Sequence, residues 1–269
     1  MNLKPSKHKY IIIFFVFVFV FCSGAAVYAV EMNEVLSLVN NYYYDNSDLF
    51  ISTMNSIKTN DKETFINAIE KNLDKYSDYY TTEEVRSEIS QLTGNPIEYS
   101  VIDNEVFKIK INAFEEGVDR DFLEIINKHL CDGTETLFLD LSDCTGGRID
   151  IMANIAKEIT PSGLICTLNL KNSKIEYFSE LGIKPFNIVV ITSPKTASAA
   201  EALTAALMES NSAIVIGKKT YGKSAVQQYF ALSDGGILKL TVGRFTTRHG
   251  EDIEGYGIKP HIIIPGLNN

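Results

Sequence analysis

The chain is short of cysteine, of histidine and of positive charge. Its 269 residues hold four cysteines, Cys22, Cys131, Cys144 and Cys166. Cys22 belongs to an N-terminal apolar stretch. The remaining three are an odd number with no Cys-x-x-Cys pair and no regular spacing. That excludes a disulfide framework, and the three read as small buried residues. The four histidines, His8, His129, His249 and His261, have no metal-ligand spacing with another ligand. No metal or cofactor is expected. Lys and Arg total 25 against 34 Asp and Glu, a formal net charge of −9. Residues 1–29 carry three lysines and no acid, so the remainder is more acidic still. No basic stripe interrupts it, which argues against nucleic-acid partners. An acidic surface of this kind mainly favours solubility. No internal repeat or low-complexity segment follows the first 30 residues.

Long apolar runs are confined to the start. Lys4, Lys7 and Lys9 precede the unbroken apolar run Ile11 to Cys22, and Ser23-Gly24-Ala25-Ala26-Val27-Tyr28-Ala29 follows. This is a charged n-region, an h-region of about a dozen residues and an A-x-A-like end. Cleavage after Ala29 is one reading of residues 1–29. The stretch from residue 10 to 30 is also long enough to span a bilayer, so a retained membrane anchor is the other. Either way, the leading lysines would keep the N-terminus cytoplasmic and place the rest of the chain outside. The expected location is extracytoplasmic, membrane-anchored or secreted.

Two regions follow. Residues 30–95 read as a helical N-terminal region, a small cap or an arm for homo-oligomer formation. Val35, Leu36, Leu38 and Val39 have helical spacing, and Asn60 could cap a helix carrying Phe65, Ile66, Ile69 and Leu73. Thr81 and Glu84 form a capping-box pattern, with Gly94 as a stop. Tyr42, Tyr43 and Tyr44 read as packing residues. From residue 96 to 269, strands and helices alternate. Phe107, Ile109 and Ile111 alternate with lysines as in a half-buried strand. Leu137 to Leu141, Gly163 to Leu168, Ile188 to Ile191 and Ala213 to Ile216 are further strands, with helices at Ile149 to Ile159 and Ala199 to Glu209. Such alternation implies a layered α/β class.

Ser198 stands where the apolar strand Ile188 to Ile191 gives way to a helix, inside Thr196-Ala197-Ser198-Ala199-Ala200-Glu201. Lys223 follows 25 residues later in Thr220-Tyr221-Gly222-Lys223-Ser224-Ala225-Val226-Gln227. A serine hydroxyl needs a base to become a nucleophile. A lysine can serve if burial holds it neutral. Moving its pKa from about 10.4 to about 8 costs roughly 3 kcal/mol. No acidic residue lies between Lys219 and Ala231 to pin the charge. Gln227, four residues on, would orient the amine. The first-turn amides of a helix are unpaired, so Ala199 N–H is a candidate oxyanion donor. Gly146, in the Gly146-Gly147 pair after strand Leu137 to Leu141, is the second, because glycine leaves its amide uncovered. Asp140 and Asp143 read as turn-capping aspartates rather than a paired acid or metal site. Cys144, in the same loop, has no histidine placed as its partner. Ser198 could also be an ordinary helix cap.

The combination resembles the carboxyl-terminal processing peptidases. Leu139-Asp140-Leu141-Ser142-Asp143-Cys144-Thr145-Gly146-Gly147 resembles their Leu-Asp-Leu-Arg-x-Asn-x-Gly-Gly motif. Thr196 to Glu201 resembles their Ser-Ala-Ser-Ala-Ser-Glu motif, and Tyr221 to Gln227 their Phe-Gly-Lys-Gly-x-Val-Gln motif. Leu73-Asp74-Lys75-Tyr76-Ser77 is similar to their Leu-Asp-Pro-Tyr-Ser segment, and Asp234 to Pro260 to their closing hairpin and tail. The resemblance implies a crotonase/ClpP-like layered core and a serine endopeptidase acting on protein or peptide substrates. It assigns Ser198 as nucleophile, Lys223 as general base, Gln227 as its partner, and Gly146 and Ala199 as the oxyanion hole. Ser142, Cys144, Ala200 and Ser224 depart from the motifs. Members usually insert a PDZ domain after the Tyr-Ser segment. Here Gly94 leads through a short polar connector to a strand near Val106. Two alternatives stand: a non-catalytic peptide- or ligand-binding protein on the same fold, and a Ser/His peptidase of the tricorn-like branch, which lacks a histidine near Ser198.

Overall fold

The computed structural model describes residues 24–45, 48–57, 62–85, 95–103, 105–131, 135–182 and 187–265. The apolar leader, the Asn60 cap and the helix expected beyond Val85 lie outside the described residues. Among the described residues no helix is long and apolar enough to cross a membrane.

The centre is a six-stranded sheet. Its strands are β2 (Ile97–Val101), β3 (Val106–Ile111), β4 (Thr136–Asp140), β7 (Asn187–Thr192), β8 (Ala213–Gly217) and β11 (Ile262–Ile263). The order is β11-β8-β7-β4-β3-β2, parallel throughout except for β2. The expected alternation in β3 is seen: Phe107, Ile109 and Ile111 are fully buried. Residues 97–101, expected within a connector, form edge strand β2. Its partner β3 offers a second row of backbone donors and acceptors that the connector satisfies.

Between β3 and β4 runs α4 (Val118–Cys131), and between β4 and the next strand runs α5 (Ile149–Ile159). Helix α6 (Ala199–Glu209) follows β7, and all nine residues from Ala199 to Leu207 are buried. A helix buried on every side must lie between layers. It touches β8 on one side and β5 (Gly163–Leu170) on the other. Its five alanines let both sheets come close.

Strand β5 belongs to a second, antiparallel sheet with β6 (Lys174–Ser179), β9 (Ala225–Ala231), β10 (Ile237–Thr246) and β1 (Asp78–Tyr80). The ten-residue β10 is its spine. It pairs with β9 along one edge, and with β1 and then β5 along the other.

The N-terminal region is less helical than the sequence suggests. Helices α1 (Gly24–Tyr42), α2 (Asp48–Ser56) and α3 (Lys62–Glu70) end before Leu73, and β1 follows. Leu73 leaves the helix because Asp74 caps a turn, accepting Ser77 N–H at 2.9 Å and Ser77 Oγ at 2.7 Å. The capping box holds: Thr81 N–H donates to Glu84 at 2.8 Å and Glu84 N–H returns to Thr81 Oγ1 at 3.3 Å. Val35, Val39, Tyr43, Met54, Phe65 and Ile69 bury themselves against Leu232, Leu238, Leu240 and Val242, forming a second core under β10.

Candidate active site

Parallel strands β4, β7 and β8 finish level, since Asp140 pairs with Ile191 and Thr192 with Gly217. The loops leaving them, 141–148, 193–198 and 218–224, therefore start from one edge of the sheet. Ligand sites of open α/β sheets form at this carboxyl edge. Three of the five segments singled out from the sequence lie there.

The middle loop binds both neighbours. Thr196, fully buried, donates its hydroxyl to Leu141 O at 2.8 Å and accepts Ser193 N–H at 2.9 Å. Ala197 N–H donates to Cys144 O at 3.0 Å, and Tyr221 N–H donates to Thr196 O at 3.0 Å. Ser193 Oγ donates to Ser142 O. Asp143 joins the same loops from outside, with Lys110 Nζ at 2.8 Å and Lys195 Nζ at 3.0 Å. Asp140 caps its turn as expected, accepting Ser142 N–H at 3.0 Å and Ser142 Oγ at 2.6 Å.

Ser198 is the N-cap of α6, with φ 56° and ψ −120°. A non-glycine residue with positive φ is held there against strain of about 1–3 kcal/mol. A sharp strand-to-helix turn of this kind lifts a nucleophilic hydroxyl clear of the chain. Glu201 maintains the turn. It is fully buried, and its carboxylate accepts four donors. Oε2 takes Ser198 N–H at 3.0 Å and Lys223 N–H at 2.8 Å. Oε1 takes Gly222 N–H at 2.7 Å and Thr220 Oγ at 2.5 Å. One carboxylate oxygen thus bridges the backbones of the two predicted catalytic residues. Burial pushes the Glu201 carboxyl above its usual range, while the four donors pull it back.

Gly146 and Ala199 are brought together as expected. A Cβ on Gly146 would lie 2.9 Å from Ser198 Cβ, 2.9 Å from Ala197 O and 3.2 Å from Ala199 N, at a φ of +110°. Only glycine lets the loop pass this close. Among the described residues neither Gly146 N–H nor Ala199 N–H is given to a backbone acceptor. Cys144 beneath them is fully buried, and burial pushes its thiol up to about 12. A protonated, enclosed thiol is no nucleophile.

Lys223 is largely withdrawn from water. Burial, then the neighbouring Lys239 charge, hold its pKa below the usual lysine value, against Glu254, Asp74 and Glu201. The sequence places no acid near Lys223 along the chain, yet the fold supplies three from distant segments. Glu254 Oε2 accepts Ser224 N–H at 3.0 Å and Ala225 N–H at 3.3 Å, which anchors the chain just past the lysine. Tyr76, from the Leu73 to Ser77 segment, lays its ring 5.1 Å from Lys223 Nζ. Gln227 lies at the start of β9 and donates its amide to Thr241 Oγ1 at 3.3 Å.

Glu201, Glu254 and Tyr76 were not singled out as site residues from the sequence. Glu201 had a readable signal, the Ser-x-x-Glu spacing of a capping box across Ser198 and Glu201. Glu254 had none, because its partners lie about thirty residues away.

Comparison with known proteins identifies the family and the fold. Residues 105–264 match the model of "Peptidase family S41". The carboxyl-terminal-processing protease of Picosynechococcus sp. (strain ATCC 27264 / PCC 7002 / PR-6) is 29% identical over 178 residues, covering 64% of this chain and 42% of that protein. The carboxy-terminal processing protease CtpA of Bacillus subtilis (strain 168) is 33% identical over 165 residues, covering 60% of this chain and 35% of its own length. The chain thus spans well under half of these curated relatives. Among solved structures, the photosystem II D1 C-terminal processing protease superposes with a TM-score of 0.72 at 16% identity, covering 87% of this chain and 92% of that one. A lipoprotein from Streptococcus agalactiae gives a TM-score of 0.67 at 22% identity, covering 93% and 95%. At these identities the structures establish the shared fold, and with the sequence match they show that the chain belongs to peptidase family S41.

Proposed function

We propose that this chain is an exported serine endopeptidase that hydrolyses peptide bonds of protein or peptide substrates through Ser198 and Lys223. The observation that carries the reading is the Glu201 bridge, which draws the Ser198 and Lys223 backbones to one buried carboxylate. Ser198 Oγ attacks the carbonyl carbon as neutral Lys223 Nζ takes its proton. The amides of Gly146 and Ala199 hold the oxyanion. The carbon–nitrogen bond then breaks, and the Lys223 ammonium returns the proton to the leaving amine. Water, deprotonated by Lys223, attacks the acyl-enzyme and releases Ser198. Gln227, whose amide donates to Thr241 Oγ1, is the proposed orienting partner of Lys223.

The lysine-rich, apolar leader supports export, as a cleaved signal peptide or as a membrane anchor through residues 10–30. The domain boundaries proposed are residues 1–29, 30–95 and 96–269. Between the Tyr-Ser segment and β2 there is no room for a PDZ module of some 80–90 residues, so a tail reader acting by strand addition is not part of this interval. Assembly of copies through the N-terminal helices would have to use their outward faces, because the inward ones are covered by β10.

Labelling of the chain with a fluorophosphonate probe tests the reading. Wild type should label, with a rate that rises with pH as Lys223 loses its proton, and Ser198→Ala and Lys223→Ala should not. Labelling that survives both substitutions refutes the dyad, and none in the wild type at any pH favours a non-catalytic binding protein on the same fold.

A further inference from the structure

Lys223 Nζ is the proposed base, and one aromatic wall beside it comes from outside the family-matched region 105–264. Tyr76 places its ring centroid 5.1 Å from Nζ. Its hydroxyl donates to Glu254 Oε1 at 2.6 Å. The other oxygen of Glu254 accepts Ser224 and Ala225 N–H, so the same carboxylate holds the ring and the backbone that follows the lysine. The segment bearing Tyr76 is itself fixed. Asp74 N–H donates to the buried Tyr43 hydroxyl at 2.8 Å, and Ser77 Oγ accepts Thr241 N–H at 2.9 Å.

We propose that Tyr76 is a positioning residue for Lys223: its ring, locked by Glu254, closes one side of the lysine's chamber and keeps water from Nζ. This rests on Lys223 being the general base. Two effects of an aromatic face oppose each other. A ring attracts an ammonium, which favours the charged lysine. The same ring excludes solvent, which favours the neutral amine. Exclusion is assigned the larger weight here, because burial is the largest influence on Lys223 and holds it below its usual value. The other charged groups facing it are Lys239 on β10, Asp74 beside Tyr76, Glu201 on α6 and Glu254 on the C-terminal loop. Tyr76 does not itself titrate in the working range, because burial and then the bond to Glu254 raise its phenol above the ordinary value. The N-terminal region is thereby part of the reacting unit as well as a cover for β10.

The test is the pH profile of fluorophosphonate labelling rate, measured on the full chain for wild type, Tyr76→Ala, Tyr76→Phe and Lys223→Ala. Tyr76→Ala should move the rising limb to higher pH by about one unit, about tenfold slower labelling at a pH on that limb. Tyr76→Phe keeps the ring but loses the Glu254 bond, and should move the limb by less than Tyr76→Ala does. A Tyr76→Ala protein with a wild-type circular dichroism spectrum and a limb that is unmoved, or moved to lower pH, overturns the proposal. If Tyr76→Ala does not fold, Tyr76→Leu is read in the same way. Wild-type labelling in Lys223→Ala would instead overturn the dyad, and the proposal with it, so the two failures are distinguishable.

Discussion

Glu201 is the residue whose loss should be felt most, and the structure supplies the magnitude. Glu201→Ala removes the acceptor of four hydrogen bonds. Ser198 and Lys223 are partly open, so water can reach their amides once the carboxylate is gone. The Thr220 hydroxyl and Gly222 N–H are bonded in the interior. Thr220 Oγ1 keeps one bond, accepting Ile258 N–H at 2.6 Å, but its own proton is stranded. An orphaned buried donor costs about 1–3 kcal/mol, so these two alone give about 2–6 kcal/mol. A central value of about 4 kcal/mol is a large part of the roughly 5–15 kcal/mol that holds a domain folded. At about 2–4 °C per kcal/mol for a chain of this size, Tm should fall by about 8–16 °C. Glu201→Gln keeps one acceptor oxygen but turns an NH2 towards N–H donors, and should lose about half as much. Thermal and urea melts followed by circular dichroism measure both. Labelling of Ser198, compared at a temperature where each variant is folded, should still be depressed, because the bridge between the two loops is gone. A Glu201→Ala protein that melts within about 3 °C of wild type would refute the reasoning, since it would mean that the four donors find water without cost.

Three further outcomes are expected. Gly146→Ala inserts a Cβ 2.9 Å from Ser198 Cβ at a φ of +110°; displacing an oxyanion donor costs about 10²–10³-fold in rate, so turnover should fall at least that far while the melt stays cooperative. Lys223 is held below its usual pKa in the folded chain. Between that value and the usual one the unfolded chain binds the extra proton, so this residue's contribution to stability rises with pH. Wild-type stability should therefore gain on that of Lys223→Met as pH rises towards the ordinary lysine value of about 10.4, and a flat difference in urea midpoints would count against a desolvated amine. Asp143 is held below the usual carboxylate range by Lys110 and Lys195. It stabilises above the ordinary carboxylate pKa and loses that as pH falls through the folded value. Being half exposed, it should be worth no more than about 1 kcal/mol, so Asp143→Asn melts should differ from wild type at low salt and coincide at high salt.

The elements that carry the chemistry were legible because local rules act on them without contradiction. Helix α6 was read from Ala199 to Glu209 and is observed there, since alanine favours helix and Ser198 caps it. Strand β3 was legible from Phe107, Ile109 and Ile111, whose alternation matches one buried face. Strand β1 was not. Asp78, Tyr79 and Tyr80 form a strand because Leu238 and its neighbours in β10 present an open edge, and nothing in the tripeptide announces that partner. Strand β2 was missed for the same reason. Its residues after Ile97 are exposed, so the burial that creates a readable pattern is absent.

The site divides along the same line. Residue types and their order could be read along the chain: a serine at a strand–helix junction, a lysine with no acid nearby in the chain, a glycine pair after a buried strand. Tertiary structure alone decided what those residues meet. It placed Glu201 between Ser198 and Lys223, brought Glu254 to the amides past the lysine, and laid Tyr76 over Nζ. The physical reason is range. Caps, turns and periodic burial act within a few residues and leave a mark on the sequence. The field around an amine depends on which distant segments exclude its water, and only the packed chain brings those segments to it.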